Sequence, residues 1–185
     1  MRIGIYGGTF DPIHKGHTKL LEALQGVFDR IFVVVAGCSP AKVNRPPLSS
    51  GEDRIALAKA ATSRLKGVEV SDIEVRRAGP SYMIDTVRDF HARFPDTVLR
   101  LILSEEYLDA LMTWKEAKEL VQLAPPLFVC NEKGGREEGP FEKIFLSTLP
   151  ISSTEVRRRI RAGESIDGML DGSVIDLILE KRLYK

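Results

Sequence analysis

The chain has 185 residues, of which 43% are hydrophobic and 29% charged, a balance that is ordinary for a soluble globular protein. This length allows one domain with a real core, and the formal net charge of +1 provides no global field for binding nucleic acid or a membrane surface. Any anion site must therefore be local.

Processing and redox signals are also absent from the sequence. No charged leader precedes an apolar segment, and no run approaches the roughly 18 apolar residues of a membrane span. Cys38 and Cys130 form neither a CxxC pair nor a dense framework, which argues against a zinc site or a disulfide scaffold. We expect a cytoplasmic protein.

Short apolar segments alternate with helical patterns, as in βαβ units around a parallel sheet. The predicted strands are Arg2–Tyr6, Arg30–Ala36, Val68–Val75, Val98–Leu103, Leu127–Cys130 and Lys143–Leu146. Predicted helices begin near His14, Ser50, Ser81 and Glu105, and two more cover Ser153–Arg161 and Ser173–Leu183. We therefore predict one α/β domain over residues 1–185. It is a doubly wound, Rossmann-like parallel sheet with helices on both faces, and its C-terminal helices begin at about residue 152.

The first predicted strand runs directly into the segment GGTFDPIHKGH. Gly7 and Gly8 permit a tight turn and a close approach of backbone N–H groups to a ligand. Pro12 then fixes a turn before a helix whose positive N-terminal end faces the same space. Because ligands bind beyond the carboxyl ends of the strands in such sheets, this turn predicts an anion site. The GxGxxG and GxxxxGK[ST] motifs are absent, so neither a dinucleotide fingerprint nor a standard P-loop explains it.

Two of the three histidines of the chain follow this turn. His14 and His17 lie three positions apart, on one face of a helical turn, and Gly16 between them leaves room for a flat group such as a base. Imidazoles that donate to phosphate oxygens stabilise charge without a protein nucleophile. A glycine-rich turn or a lone histidine is more often structural, but the combination favours a site.

A second motif, ISSTEVRRRI, carries its own helix start. Ser152 and Glu155 have the spacing of a capping box, and Ile151 and Val156 have the spacing of a hydrophobic staple. With Ser152 as the N-cap, the first-turn N–H groups and the hydroxyls of the next two residues are free to hold phosphate oxygens. The alternative is a well-capped helix with a solvated basic face, and we prefer that interpretation for three arginines, Arg158, Arg159 and Arg161.

These segments resemble a known family. GGTFDPIHKGH resembles the motif of the HxGH nucleotidyltransferases, in the wording of the nicotinate-nucleotide adenylyltransferases, and ISSTEVRRRI resembles the ISSTxxR motif of the same superfamily. SYMIDTVRDF is similar to the SYTxDTL segment, and the Trp of LMTWKEA falls where the family carries its pyridine-stacking Trp. The ending GESIDGMLDGSVIDLILEKRLYK also follows the family, so the resemblance spans nearly the whole chain.

The resemblance implies transfer of AMP from ATP to nicotinate mononucleotide, giving deamido-NAD and pyrophosphate in NAD biosynthesis. The incoming phosphate is already an anion, so positioning and charge neutralisation carry the catalysis. The implied partners are these two small molecules, with no nucleic acid or membrane and with an unknown oligomeric state. Mg²⁺ is expected with ATP, bound through phosphates rather than by protein ligands.

The resemblance also implies roles for individual residues. The catalytic set is His14, His17, Lys42 and Arg157. The ATP-binding set is Gly7, Gly8, Thr9, Phe10, Gly16, Glu106, Ile151, Ser152, Ser153 and Thr154. The nicotinate pocket is formed by Tyr82, Thr86 and Trp114. Two alternatives stay open. Lys42 stands in SPAK, where the family has PPHK, and it could be an ordinary exposed loop residue. Trp114 could be a core residue that packs on its own helix.

The chain departs from the family pattern at several positions. Ser104-Glu105-Glu106 stands where the family usually has Gly-x-Asp, and Asn131-Glu132-Lys133-Gly134 replaces a basic turn. Near the end, Asp171 replaces a usual Pro and Leu177 a usual Tyr. Because these changes lie on the acceptor side or the periphery, the acceptor is less certain than adenylyl transfer. Two alternatives remain. The acceptor could be another phosphorylated molecule, with nicotinamide mononucleotide ranked ahead of phosphopantetheine, or the chain could be a non-catalytic nucleotide-binding paralogue.

Overall fold

The computed structural model describes residues 1–40, 46–132 and 139–185. The strands are β1 (Arg2–Gly8), β2 (Arg30–Val35), β3 (Val68–Ser71), β4 (Val98–Ser104), β5 (Pro126–Asn131) and β6 (Glu142–Leu146). The helices are α1 (Lys15–Ala23), α2 (Gly51–Thr62), α3 (Ile73–Arg76), α4 (Met83–Arg93), α5 (Ala117–Leu123), α6 (Ser153–Ala162) and α7 (Gly172–Glu180), with short 3-10 helices at Glu105–Tyr107 and Leu111–Thr113.

The six strands form one parallel sheet in the order β3-β2-β1-β4-β5-β6. The chain builds outward from β1 to β3 and then crosses back to β4, on the other side of β1. Ile5, near the middle of β1, pairs with Phe32 of β2 and with Leu101 of β4. The predicted doubly wound parallel sheet is confirmed, and its switch point, where such folds bind ligands, lies between β1 and β4.

Both faces of the sheet are covered by helices. On one face Ile31, Val33 and Val35 of β2 belong to a buried cluster that also includes residues of α1, α2, α6 and α7. On the other face Phe32 and Val34 belong to a cluster with residues of α4 and α5. An apolar side chain at nearly every position of β2 follows from this double burial. Within the described residues, no helix is long and apolar enough to cross a membrane.

The third strand is shorter than predicted. Val68–Ser71 pairs with β2, but the chain then turns into α3, so the prediction of a strand to Val75 was wrong. Asp72 ends the extended run, and its carboxylate forms an ion pair with Arg76 one turn later (2.6 Å). Ile73 and Val75 extend the apolar pattern beyond the strand, but both lie in α3, where the glutamate between them is buried.

The predicted helix from Glu105 is also only partly correct. The segment after β4 forms the two 3-10 turns, and an α-helix begins only at Ala117. Glu116, immediately before α5, has a left-handed backbone (φ 53°), which breaks the helix continuity that the sequence pattern suggested. The remaining predicted helices are present with ends shifted by a few residues.

Candidate active site

A cavity of about 1640 Å³ opens where β1, β4 and β5 end. Its floor includes Gly7 and Gly8 of β1, Ser104 of β4 and Asn131 of β5. This volume exceeds the roughly 300–1,000 Å³ of an ordinary small-molecule pocket, so the cavity has room for more than one ligand.

Most of the residues singled out in the sequence line this cavity. They are Gly7, Gly8, Thr9, Phe10, His14, Gly16, His17, Glu106, Ile151, Ser152, Ser153, Thr154 and Arg157. The lining does not include Tyr82, Thr86 or Trp114. Lys42 lies outside the described residues.

The two motifs meet directly through side-chain contacts with the backbone. Arg157 of α6 donates from Nη1 to the carbonyl oxygen of Asp11 (2.6 Å), and the Ser153 hydroxyl donates to the carbonyl oxygen of Pro12 (2.9 Å). The first turn of α6 is thereby held against the turn between β1 and α1. His14 and Arg157 consequently face one hollow, although they are far apart in the sequence.

The start of α6 forms one half of the predicted capping box and not the other. Ser152 is the N-cap, and its hydroxyl accepts a hydrogen bond from the N–H of Glu155 (3.2 Å). The Glu155 carboxylate completes no reciprocal bond and instead pairs with Arg158 and Arg159, both at 2.8 Å. These two arginines thus lie in exposed ion pairs, as the solvated-face interpretation expects. Arg158 and Arg161 nevertheless also line the cavity, so that interpretation is only partly correct.

The glycine turn is shaped by the ring that follows it. Phe10 has a left-handed backbone (φ 49°) and is buried, with its ring over Gly8. A Cβ on Gly8 would lie 2.6 Å from that ring, so only glycine fits there. Arg54 of α2 donates from Nη1 to the carbonyl oxygens of Thr9 (2.8 Å) and Ala36 (2.6 Å), which fixes the ends of β1 and β2 relative to each other.

The two histidines stack on each other, with ring centroids 3.7 Å apart. His17 Nδ1 accepts a hydrogen bond from the backbone N–H of His14 (3.1 Å), which leaves Nε2 as the ring nitrogen that can donate. A Cβ on Gly16 would lie 3.0 Å from the His14 ring, so this glycine permits close packing over the imidazole. His17 is therefore oriented as a hydrogen-bond donor.

The His14 imidazole is buried against the turn. Burial lowers its pKa to about 4, so the ring is neutral near pH 7. Its Nδ1 is buried without a hydrogen-bond partner among the described residues. The Nδ1 side of the ring packs against Gly16, and the ring stacks on His17.

The Asp11 carboxylate is a buried centre of hydrogen bonding beside the cavity. It accepts from the N–H groups of Leu48 (2.8 Å) and Ser49 (3.3 Å), from the Ser49 hydroxyl, and from the Tyr184 hydroxyl (2.8 Å). The nearest Arg157 nitrogen is 4.0 Å away. Burial alone would raise the pKa of Asp11, but these hydrogen bonds and the Arg157 charge outweigh it and lower the pKa below its usual value.

The three residues assigned to the nicotinate pocket do not line this cavity, and their surroundings differ. Thr86 is fully buried and donates to Glu74 (2.7 Å). Burial raises the pKa of the Glu74 carboxyl. Trp114 makes an edge contact with Tyr107, with centroids 5.5 Å apart, and Tyr107 itself lines the cavity. The Tyr82 ring lies 4.6 Å from the ammonium nitrogen of Lys115.

Sequence reasoning missed four residues at this site, namely Asp11, Arg54, Tyr107 and Tyr184. Asp11 lies inside the glycine-turn motif, so its position was a usable signal, and Tyr107 adjoins the expected Glu106. Arg54 and Tyr184 gave no signal, because each sits in a segment that reads as an ordinary helix or helix end. The Ser104 hydroxyl donates to Glu106 Oε1 (2.9 Å), so the departure from Gly-x-Asp creates a hydrogen bond within the cavity lining.

Comparison with known proteins places this architecture. The cytidylyltransferase-like family model matches residues 5–159. A probable nicotinate-nucleotide adenylyltransferase of Opitutus terrae is 38% identical, covering 100% of this chain and 98% of the relative. One of Thermus thermophilus is 35% identical, with 100% of both chains covered.

A solved structure shows the same fold. The nicotinic acid mononucleotide adenylyltransferase of Plasmodium falciparum, complexed with NaAD, superposes with a TM-score of 0.83 at 19% identity, covering 99% of this chain and 97% of that one. Full-length matches above 30% identity, together with the family model and both motifs on one cavity, establish the relationship. The chain belongs to the nicotinate-nucleotide adenylyltransferases of the cytidylyltransferase-like family.

Proposed function

We propose that this chain transfers the adenylyl group of ATP to nicotinate mononucleotide, releasing pyrophosphate and forming deamido-NAD. The observation that carries the proposal is the meeting of the glycine turn with the first turn of α6 around one cavity. The names of the full-length relatives supply the reaction and the acceptor. The two unpaired cysteines, exposed Cys38 and buried Cys130, suit the reducing cytoplasm, where we place the enzyme.

In this proposal the triphosphate lies between the two motifs. The free N–H groups at the start of α6, the hydroxyl of Thr154 and the guanidinium of Arg157 bind phosphate oxygens. His17 donates from Nε2, and the neutral His14 ring is stacked against it. Lys42 would add a further positive charge from the loop after β2, a role that rests on the family resemblance.

Catalysis then requires little proton transfer by the protein. The phosphate of the acceptor attacks the α-phosphorus of ATP, the bond from that phosphorus to the bridging oxygen breaks, and pyrophosphate leaves. Negative charge grows on the equatorial and leaving oxygens, where fixed donors lower the barrier most. Arg157, held by its bond to the Asp11 carbonyl, needs little reorganisation to serve as such a donor.

The acceptor would occupy the side of the cavity formed by Tyr107, next to Glu106 of the ATP-binding set. Tyr107 contacts Trp114 edge-on, so a pyridine ring stacked on the indole would lie beside the tyrosine ring. Helix α4 begins at Met83, and backbone groups near its start, between Tyr82 and Thr86, would receive the nicotinate carboxylate.

Mg²⁺ would accompany ATP and neutralise part of its charge. Across the described ranges, no group of three or more His, Cys, Asp or Glu side chains could hold a metal ion. We expect it to be held by phosphate oxygens and water, the ligands that Mg²⁺ commonly keeps in nucleotide sites.

The test is pyrophosphate release from ATP and Mg²⁺, with nicotinate mononucleotide, nicotinamide mononucleotide and phosphopantetheine offered in turn. Release that is fast only with nicotinate mononucleotide supports the proposal. Faster release with another acceptor would mean that the chain transfers the adenylyl group to that acceptor instead of nicotinate mononucleotide. ATP binding without release for any acceptor would identify a non-catalytic relative.

A further inference from the structure

Tyr184, near the C-terminal end of the sequence, donates a hydrogen bond from its hydroxyl to the Asp11 carboxylate. The oxygen lies 2.8 Å from Asp11 Oδ1 and 3.0 Å from the Ser49 hydroxyl oxygen, and the tyrosine is only 7% exposed. The proposed reaction gives Tyr184 no part, and nothing in its packing requires a hydroxyl, since the ring itself belongs to the apolar cluster.

The backbone around this tyrosine adopts an unfavourable conformation. Arg182 and Tyr184 both have left-handed backbones, with φ of 53° and 64°. Residues with a side chain adopt this region at a cost in free energy, so surrounding contacts must hold them there. Here the ring is buried and the hydroxyl is bonded, which offsets that cost. The segment is shaped to deliver this hydroxyl to Asp11.

The contacts of Asp11 divide between its two oxygens. Oδ1 accepts from the hydroxyls of Ser49 and Tyr184, while Oδ2 accepts from the N–H of Leu48 and lies 4.0 Å from Arg157. At that separation the guanidinium is near the carboxylate but not hydrogen-bonded to it. Arg157 therefore keeps donors available for a ligand, even though a carboxylate is its strongest competing partner.

We propose that Tyr184 is a positioning residue for ATP, whose hydroxyl holds the Asp11 carboxylate so that Arg157 stays free to bind phosphate. The same bond keeps Leu48, which lines the cavity, attached to the glycine turn. Without the hydroxyl, Asp11 loses a donor on Oδ1, turns to Arg157 for charge compensation and competes with the triphosphate. This inference rests on the proposed function, because it concerns the same phosphate site.

Tyr184→Phe tests the role, because it removes the hydroxyl and keeps the buried ring. We expect the dissociation constant and the KM for ATP to rise about tenfold, the scale of losing one hydrogen bond to a charged group. We expect the KM for the acceptor to change less than about twofold. ATP binding is measured by calorimetry and the KM values by pyrophosphate release.

Lys181→Ala is the matched control. Lys181 joins α7 to α2 through an ion pair with Asp53 (2.7 Å), away from the cavity lining. This variant weakens the docking of the same end of the chain without touching Asp11. We expect wild-type ATP affinity for it. A Tyr184→Phe protein that matches the control in ATP affinity, whatever its melting temperature, would overturn the positioning role.

Ser49→Ala tests the hydrogen-bond network around Asp11 Oδ1, in which the Ser49 and Tyr184 hydroxyls also contact each other (3.0 Å). Since Ser49 and Tyr184 share Oδ1, their effects on ATP affinity should be coupled, and the double variant should differ from the sum of the single ones. Additive effects would contradict the mechanism. Calorimetric binding reports on Tyr184 even if no acceptor supports turnover, so failure of the proposed function is distinguished from failure of this inference.

Discussion

The guanidinium of Arg157 donates to the backbone carbonyl oxygen of Asp11 across 2.6 Å, which ties the first turn of α6 to the glycine turn after β1. One nitrogen of the arginine is used in this structural contact. The planar fork thus has a fixed direction before any ligand arrives, with its remaining donors beside the cavity.

Arg157→Lys should therefore be a poor replacement. Lysine retains the positive charge but cannot bond Asp11 and a phosphate with one rigid group. We expect kcat/KM for ATP to fall about 100-fold, the scale of losing one fixed charge-stabilising donor. Arg159→Lys, on the exposed side of the same helix, should leave it near the wild-type value. Equal kinetics in the two variants would refute the assigned role.

His17→Ala should lower kcat by about two orders of magnitude or more, because it removes an oriented donor from the phosphate site. His91→Ala, in the exposed last turn of α4, is the control and should be unaffected. Steady-state kinetics and circular dichroism separate loss of activity from loss of folding. Near wild-type turnover in a folded His17→Ala protein would remove His17 from the mechanism.

Gly16→Ala should reduce activity by displacing a neighbour. The added methyl group would lie 3.0 Å from the His14 ring, closer than it packs comfortably, so the imidazole must move. We expect about a tenfold loss in kcat, by comparison with larger losses when a donor is removed outright. Gly172→Ala is the control, since a Cβ there meets no atom within 4 Å. Similar kinetics for both variants would show that the spacing is unimportant.

The buried His14 should make the protein less stable in acid. Its pKa is lowered to about 4, whereas in the unfolded chain it is near 6.5, so the unfolded chain binds the proton more readily between these values. Stability conferred by the neutral ring is complete above about pH 6.5 and is lost as the pH falls toward 4, by at most about 3 kcal/mol. Urea unfolding across this range measures it, and His14→Gln should flatten the slope. An unchanged slope in the variant would contradict the shift.

Trp114→Ala should distinguish the acceptor from ATP. If the indole stacks on the pyridine ring, the KM for nicotinate mononucleotide should rise at least tenfold, a loss on the scale of one aromatic contact, while the KM for ATP stays within about twofold. Trp114→Phe retains an aromatic face and should recover part of the affinity. Equal changes for both substrates would favour a packing role.

Local signals in the sequence were sufficient for the sheet and for the start of α6. The order of apolar segments predicts the parallel sheet, and Ser152 with its spacing to Glu155 predicts the N-cap. The secondary-structure predictions failed where tertiary contacts outweigh the local hydrophobic pattern of the sequence. Glu74 continues an apparent strand but is buried in a helix, and the left-handed Glu116 breaks an apparent helix.

Only the part of the site that is formed by the two sequence motifs could be predicted. Both phosphate motifs line the cavity, but the expected pocket residues do not: Thr86 is fully buried, Trp114 contacts Tyr107, and Tyr82 contacts Lys115. The bond between Asp11 and Tyr184 joins positions 173 apart, and no periodicity or spacing rule relates residues at that distance. Such pairs become visible only once the fold has brought them together.

The contact between the glycine turn and α6 has a consequence for how nucleotide binding is coupled to folding. Its two bonds, from Ser153 to Pro12 and from Arg157 to Asp11, span 141 and 146 positions, so early and late parts of the chain must both be folded before the hollow exists. A partly unfolded molecule in which α6 is detached should not bind the triphosphate. Bound ATP should therefore act as a staple across the domain, protecting the amides of α6 from hydrogen exchange as strongly as those of β1.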